Sequence, residues 1–234
     1  MRTAHDIPIV PDATPAAQSY DENCRRCGRL AAFLDTVRDA HPDYWCRPVP
    51  AFGAATAALV IVGLAPGMHG ANATGRPFTG DHAGILLYRT LFDYGYASQP
   101  AVAGRHDGMQ LTGVRITNAV KCLPPDNKPT PAEMRTCNAF LVADLKALPA
   151  GGAILALGRI AHDATLRALG MRATALTFAH GAQHRLDGGR MLIDSYHCSR
   201  YNTNTRRLTT PMFRAVFDAI ADHLRRARAG GERA

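Results

Sequence analysis

Cysteines carry the first chemical signal in this chain of 234 residues. Cys24 and Cys27 form a Cys-x-x-Cys pair, while Cys122 and Cys137 come from two other segments. Four thiolates suit tetrahedral zinc or an iron–sulfur cluster, and the spacing of the second pair differs from that of zinc ribbons. The sequence therefore predicts a metal site and favours a cluster. The alternative is that Cys122 and Cys137 are small buried apolar residues.

A loop rich in glycine and proline, Gly63–Asp81, offers a second chemical centre. It lies between an apolar run typical of a buried strand and a segment with a helical pattern. Glycine lets the backbone approach a ligand closely, and a helix start brings N–H groups and the Asp81 carboxylate to one mouth. This combination predicts a pocket for a small polar ligand.

A third segment, Asp194–Leu208, leaves a predicted strand and is dense in polar groups. His197 would emerge at the carboxyl end of that strand and face the Gly63–Asp81 loop. The side chains suited to contact phosphates or to stack on a base are Ser199, Arg200, Tyr201, Asn202, Arg206 and Arg207. The alternatives are a hydrogen-bonded structural histidine and a solvated loop.

Alternating strand and helix patterns must position these residues. Strands are predicted at Ala57–Leu64, Val114–Val120, Ala153–Leu157, Ala173–Phe178 and Met191–Tyr196. Helices are predicted at Arg25–Ala40, Ala83–Tyr94, Pro131–Leu148, Ile160–Leu169 and Thr210–Ala227. This alternation predicts an α/β protein with a mainly parallel sheet covered on both faces by helices. Ligands of such sheets bind beyond the carboxyl ends of the strands, where the polar loops would converge.

Helix ends are also signalled. Thr130 followed by Pro131 and Glu133 predicts a capped helix start. Gly95 and Gly170 occupy positions where helices commonly end.

Composition limits the class of protein. One folded domain is expected at 21–228, with a flexible lead-in at 1–20 and a flexible tail at 229–234. The net charge of +8 predicts a polyanionic partner, nucleic acid first, unless it marks only a basic solvated surface. The sequence offers neither an export signal nor an apolar run of the ~20 residues that a membrane helix needs. A reducing, cytoplasmic compartment without disulfides is therefore expected.

Four segments make the sequence resemble a known family. They are Gly-Leu-Ala-Pro-Gly at 63–67, Thr-Gly-Arg-Pro-Phe-Thr-Gly-Asp at 74–81, the stretch 118–131 and the stretch 197–205. Together with the cysteine set, they resemble the type B, family-five uracil-DNA glycosylases from about Cys24 to Phe217. The resemblance implies a three-layer αβα sandwich with a short, mainly parallel central sheet. It also implies a monomeric, nucleoid-associated enzyme that excises uracil, and often hypoxanthine or xanthine, from DNA and leaves an abasic site.

The resemblance further implies roles for single residues. Asp81 would orient or deprotonate the attacking water, and His197 would donate a hydrogen bond to the departing base. Asn118 would contact the base edge or the water. A structural 4Fe-4S cluster would be held by Cys24, Cys27, Cys122 and Cys137.

The same resemblance assigns the contacts to DNA. The base would meet the loop residues Gly63, Leu64, Ala65, Pro66 and Gly67, and would stack on Phe78. Phosphates would meet Lys121 and Lys128 as well as the polar residues that follow His197.

Structural alternatives stand beside these roles: an N-cap for Asp81, a core position for Phe78 and a strand-closing amide for Asn118. Cys198 occupies a position where the family usually has proline, which predicts a less rigid loop and an oxidisable thiol near DNA. His82 either perturbs Asp81 or points to solvent.

Two other functions remain open at this stage. A non-catalytic iron–sulfur protein that binds DNA or senses redox state would keep the charge and the cysteines but would not need Asp81 or His197. A zinc-stapled nucleotide-binding protein is the other.

Overall fold

The computed structural model describes residues 20–231. Apart from Tyr20, the predicted lead-in lies outside the described residues, and of the predicted tail only 229–231 are described, as the end of the last helix.

A six-stranded sheet forms the centre of the protein. Its strands are β1 (Phe52–Gly53), β2 (Leu59–Gly63), β3 (Val114–Asn118), β4 (Ala153–Leu157), β5 (Gln183–Arg185) and β6 (Met191–Ser195). They lie in the order β1-β3-β2-β4-β6-β5. The inner four strands are parallel, with Ile61 of β2 opposite Ile116 of β3 and Leu155 of β4. The two edge strands are antiparallel to their neighbours.

Helices cover both faces of this sheet. They are α1 (Gly28–Ala40), α2 (Ala71–Thr74), α3 (His82–Asp93), α4 (Pro131–Lys146), α5 (Arg159–Ala168), α6 (Arg200–Asn204) and α7 (Thr210–Gly231). Side chains alternate across a strand, so Leu59 and Ile61 pack with α3 and α7, while Val60 and Val62 pack with α4 and α5. Every residue of β2, β4 and β6 is buried, as expected for strands covered on both faces. The predicted three-layer αβα sandwich is confirmed.

One predicted strand is wrong. Residues 173–178 form turns and irregular chain, and Thr174 and Thr177 are exposed while Leu176 packs beside α5. The Leu176 carbonyl accepts a hydrogen bond from a histidine side chain instead of a neighbouring strand. The sheet is extended by β5, whose polar sequence and three-residue length gave no strand signal.

The predicted helix ends are confirmed. Thr130 Oγ1 accepts from the Glu133 backbone N–H, and the Glu133 carboxylate accepts from the Thr130 backbone N–H, which closes a capping box. Gly95 and Gly170 follow α3 and α5 with φ of 75° and 73°, the left-handed conformation that ends helices. Within residues 20–231, no helix is long and apolar enough to cross a membrane.

Candidate active site

A pocket of about 450 Å³ opens at the carboxyl ends of the parallel strands. Its walls come from the loops that follow β2, β3 and β6. The sequence-predicted residues that line it are Leu64, Ala65, Gly67, Phe78, Asp81, Asn118, His197, Ser199 and Arg200. Four further residues that were not predicted from the sequence also line the pocket: Ala71, His82, Ala83 and Asn127. Gly63 and Pro66 are buried behind this wall.

Asp81 both caps a helix and lines the pocket. Its Oδ1 accepts a hydrogen bond from the Gly84 backbone N–H at 3.1 Å, which makes it the N-cap of α3. Its Oδ2 lies 3.7 Å from the point where a Cβ on Gly67 would stand. Burial raises the pKa of this carboxyl, although hydrogen bonds from Gly84 and Ala83 act in the opposite direction. The alternative of an N-cap is correct and leaves one oxygen beside the loop glycines.

Phe78 and His197 form an aromatic wall. The Phe78 ring is 5% exposed and stacks on the His197 ring with centroids 5.9 Å apart and planes inclined by 29°. Phe78 adopts a φ of 54°, a left-handed conformation that is costly for a bulky side chain and concentrates at functional sites. Phe78 therefore belongs both to the core and to the pocket.

His197 is neutral over the physiological range. Burial lowers the pKa of its imidazole to about 4. A neutral imidazole keeps one N–H, so His197 can donate a hydrogen bond without bringing a positive charge into the pocket.

Asn118 closes β3 at the floor of the pocket and is 3% exposed. A Cβ built on Gly63 would clash with Asn118 Oδ1 and would lie 2.7 Å from Phe78 Cζ. Glycine at position 63 is thus required for the amide and the ring to approach the strand end.

Replacing Gly63 with alanine is expected to lower the free energy of unfolding by about 1–3 kcal/mol, because overpacking a tight core displaces its neighbours. Urea unfolding measures the loss. The matched control is Gly104→Ala, since a Cβ there meets nothing within 4 Å. Equal stability of the two variants would show that the contact at Gly63 is not tight.

Hydrogen bonds fix the loop that carries His197. Ser199 caps α6 through the Asn202 N–H, and Asn202 Nδ2 donates to the His197 carbonyl at 2.8 Å. Cys198 has no exposed surface and packs in the core beneath α7. The expectation of an oxidisable thiol near DNA is therefore wrong, since the thiol is buried. His82 Nε2 lies 3.0 Å from Thr203 Oγ1, so its ring bridges to α6 instead of pointing to solvent.

Basic and aromatic side chains lie on the segments that follow β3 and β6. Arg200 lines the opening, and the Tyr201 ring beside it is 70% exposed. Arg206 and Lys128 are also exposed. The Arg207 guanidinium lies 4.6 Å from the centre of the Tyr196 ring.

The predicted phosphate contact of Lys121 is wrong. This side chain is 2% exposed, and its ammonium group donates to Asp144 at 2.8 Å and to Thr117. A buried ammonium needs such a partner, and the carboxylate of Asp144 on α4 supplies it.

The four predicted ligand cysteines meet at one cavity. Cys24, Cys27, Cys122 and Cys137 line it together with Arg26 and Phe140. Arg26 Nε donates to Cys24 Sγ at 3.3 Å, and the Lys121 backbone N–H donates to Cys137 Sγ at 3.2 Å. Burial, with contributions from neighbouring thiolates, raises the pKa of Cys122, and burial raises that of Cys137 to about 11.

An ion pair holds the two helices of this cavity together. Arg29 of α1 donates to both carboxylate oxygens of Glu133 at the start of α4, at 2.8 and 2.7 Å. The other two cysteines, Cys46 and Cys198, are buried elsewhere.

A second group of potential metal ligands, His162, His184 and Asp194, is already satisfied internally. His162 Nδ1 lies 2.7 Å from Asp194 Oδ1, and its Nε2 lies 3.1 Å from the Leu176 carbonyl. Since a carboxylate and a carbonyl only accept, His162 donates from both nitrogens. Burial opposes this charge, but Asp194 outweighs it and raises the pKa of His162. His184 Nε2 occupies the second Asp194 oxygen at 3.1 Å, so the group supports β6.

Comparison with known proteins identifies the class. A family model described as "Uracil DNA glycosylase superfamily" matches residues 50–221, and the chain belongs to that superfamily. It is a DNA repair glycosylase, a hydrolase of the bond between a base and its sugar.

Within this superfamily, the chain is similar to type-5 and type-4 uracil-DNA glycosylases. The type-5 uracil-DNA glycosylase of Thermus thermophilus is 48% identical over 199 residues, covering 82% of this chain and 90% of that protein. The type-5 enzyme of Pyrobaculum aerophilum is 42% identical and covers 88% of each chain. A type-4 enzyme of Thermotoga maritima is 33% identical over 60% of this chain and 64% of its own length.

Proposed function

We propose that this chain is a type-5 uracil-DNA glycosylase that also removes hypoxanthine and xanthine. The observation that carries the proposal is one pocket lined by a carboxylate, a neutral imidazole, an amide and an aromatic ring, from Asp81, His197, Asn118 and Phe78. A binding protein without catalysis has no need for this set of groups.

The target nucleotide must leave the duplex to reach the pocket, since its glycosidic bond is inaccessible inside the stack. Phe78 would stack on the extruded base, and the exposed Tyr201 would occupy the gap left in the helix. Arg200 at the pocket opening, together with the exposed Arg206 and Lys128, would supply positive charge for the flanking phosphates.

Cleavage separates an anionic base from a cationic sugar, so the site must stabilise both charges. His197 would donate its single N–H to the O2 oxygen of the departing base. The Asp81 carboxylate would stabilise the oxocarbenium-like sugar and orient or deprotonate the attacking water. Asn118 would hold the base edge.

A breadth of substrates follows from the small side chains of the wall. Ala65, Gly67 and Ala71 present backbone and methyl groups, which leave room for a purine as well as a pyrimidine. The test is an excision assay on matched duplexes that carry one uracil, hypoxanthine or xanthine. Release of none of the three bases by purified, cluster-loaded protein would reject the function, and release of uracil alone would reject the breadth.

The single-turnover excision rate should fall at acid pH, as Asp81 becomes protonated. It should show no change near neutral pH that arises from titration of His197. Asp81 must be ionised to act, and its raised pKa means that the single-turnover rate falls at a higher pH than an exposed carboxyl would give. The pKa of His197 is about 4, so its imidazole stays neutral at the pH values near neutrality where excision is measured. A rate that changes through pH 6–7 in the wild type but not in His197→Gln would show that His197 titrates and would contradict this assignment.

We also propose that Cys24, Cys27, Cys122 and Cys137 hold a 4Fe-4S cluster. Their donor set fits such a group, because four thiols, one buried and three half-buried, share one cavity and two of the sulfurs accept N–H donors, as cluster sulfurs do. The cluster would supply a structural link between α1 and the α4 region and would take no part in bond cleavage. A brown protein that contains about four irons per chain would support the cluster assignment. A colourless protein that contains zinc would contradict it.

A further inference from the structure

His180 contacts the active-site loop from outside the pocket. Its Nδ1 accepts a hydrogen bond from the Tyr196 backbone N–H at 3.1 Å. Tyr196 directly precedes His197, so this bond holds the chain one residue before the imidazole that lines the pocket.

The bond from the Tyr196 amide also defines the protonation state of the His180 ring. Because Nδ1 accepts from an amide, it carries no proton, so the ring is a neutral imidazole whose single N–H is on Nε2. Burial lowers the pKa of His180, which is consistent with that state.

Aromatic stacking adds to this arrangement. The His180 and Tyr196 rings stack with centroids 5.0 Å apart and planes inclined by 19°. The Arg207 guanidinium also lies over the Tyr196 ring, at 4.6 Å. The residue before His197 is therefore fixed through both its backbone and its ring.

We propose that His180 is a positioning residue for base excision, acting as the acceptor that fixes the Tyr196 amide and so aims His197 at the departing base. The proposal rests on the proposed role of His197. A small misplacement of a catalytic group lowers the rate strongly, whereas Arg200 and Tyr201 lie on α6, which is capped separately by Ser199.

The test compares three variants in single-turnover excision of uracil and in duplex affinity. His180→Phe keeps a ring for stacking but removes the acceptor, and we expect the rate to fall on the order of tenfold to a hundredfold with affinity nearly unchanged. His180→Asn places an amide oxygen near the position of Nδ1 and is expected to recover most of that loss. His223→Phe is the matched control, because this buried histidine bonds to the Gly152 carbonyl at the opposite end of β4 and should leave the rate unchanged.

The outcomes separate this inference from the proposed function. An inactive wild type would reject the function itself. An active wild type with an undiminished His180→Phe rate, or with no recovery in His180→Asn, would overturn the positioning role alone. If His180→Phe fails to fold, the His180→Asn rate decides, since a value far below the wild type would contradict an acceptor role.

Discussion

Asp81→Asn is expected to lower uracil excision by about 10²–10⁴-fold, the range that a positioned general base contributes, while the protein stays at least as stable. Asparagine is as good an N-cap as aspartate, so the bond to the Gly84 N–H persists. At neutral pH the ionised Asp81 carries a burial penalty, which its raised pKa reports. The neutral amide removes that penalty, so Tm should hold or rise.

The variant Asp81→Ala distinguishes the role of Asp81 as the N-cap of α3 from its proposed role in catalysis. It should match Asp81→Asn in excision rate but lose about 1 kcal/mol of stability through the missing cap. Duplex affinity should change little in either variant, because phosphate contacts dominate binding. Excision by Asp81→Asn at the wild-type rate would remove Asp81 from the mechanism.

Cys137→Ser has the second largest expected effect, on stability and not on chemistry. Cys137 is buried, lies on α4 and shares its cavity with the three other cysteines. Loss of one ligand should abolish the visible absorbance and lower Tm by roughly 10 °C, because a bound metal group contributes its binding free energy to folding.

Cys46→Ser is the matched control. Cys46 is equally buried but lies outside the four-cysteine cavity, so its variant should keep the full absorbance per chain. If Cys137→Ser kept the iron content and visible absorbance of the wild type, Cys137 would not be the fourth ligand.

The layered fold was predictable because its central strands β2 and β4 consist of apolar residues. Both faces of β2 and β4 are covered, so they stand out as unbroken apolar runs. The edge strand β5 was not predicted, because its polar residues, such as Gln183, do not form an apolar run. Residues 173–178 were wrongly predicted as a strand, since Leu176 and its neighbours form an apolar segment that pairs with no strand.

The pocket was predictable in outline and not in detail. The carboxyl ends of parallel strands meet at one edge, so His197 and the Gly63–Asp81 loop had to be neighbours. Asn127 was missed as a wall residue because its position depends on a left-handed turn with φ of 56°. Lys121 was misplaced because only tertiary contacts reveal its ion pair with Asp144.

Cys198 stands in a turn that is held by neighbouring hydrogen bonds. A proline ring would restrict one backbone torsion, whereas here Ser199 and Asn202 anchor the turn and the thiol fills space beneath it. Substitutions at this position will consequently be governed by side-chain volume, so alanine should be tolerated better than any larger or charged residue. Directed-evolution libraries of this enzyme would then find their variability at 198 confined to small apolar side chains.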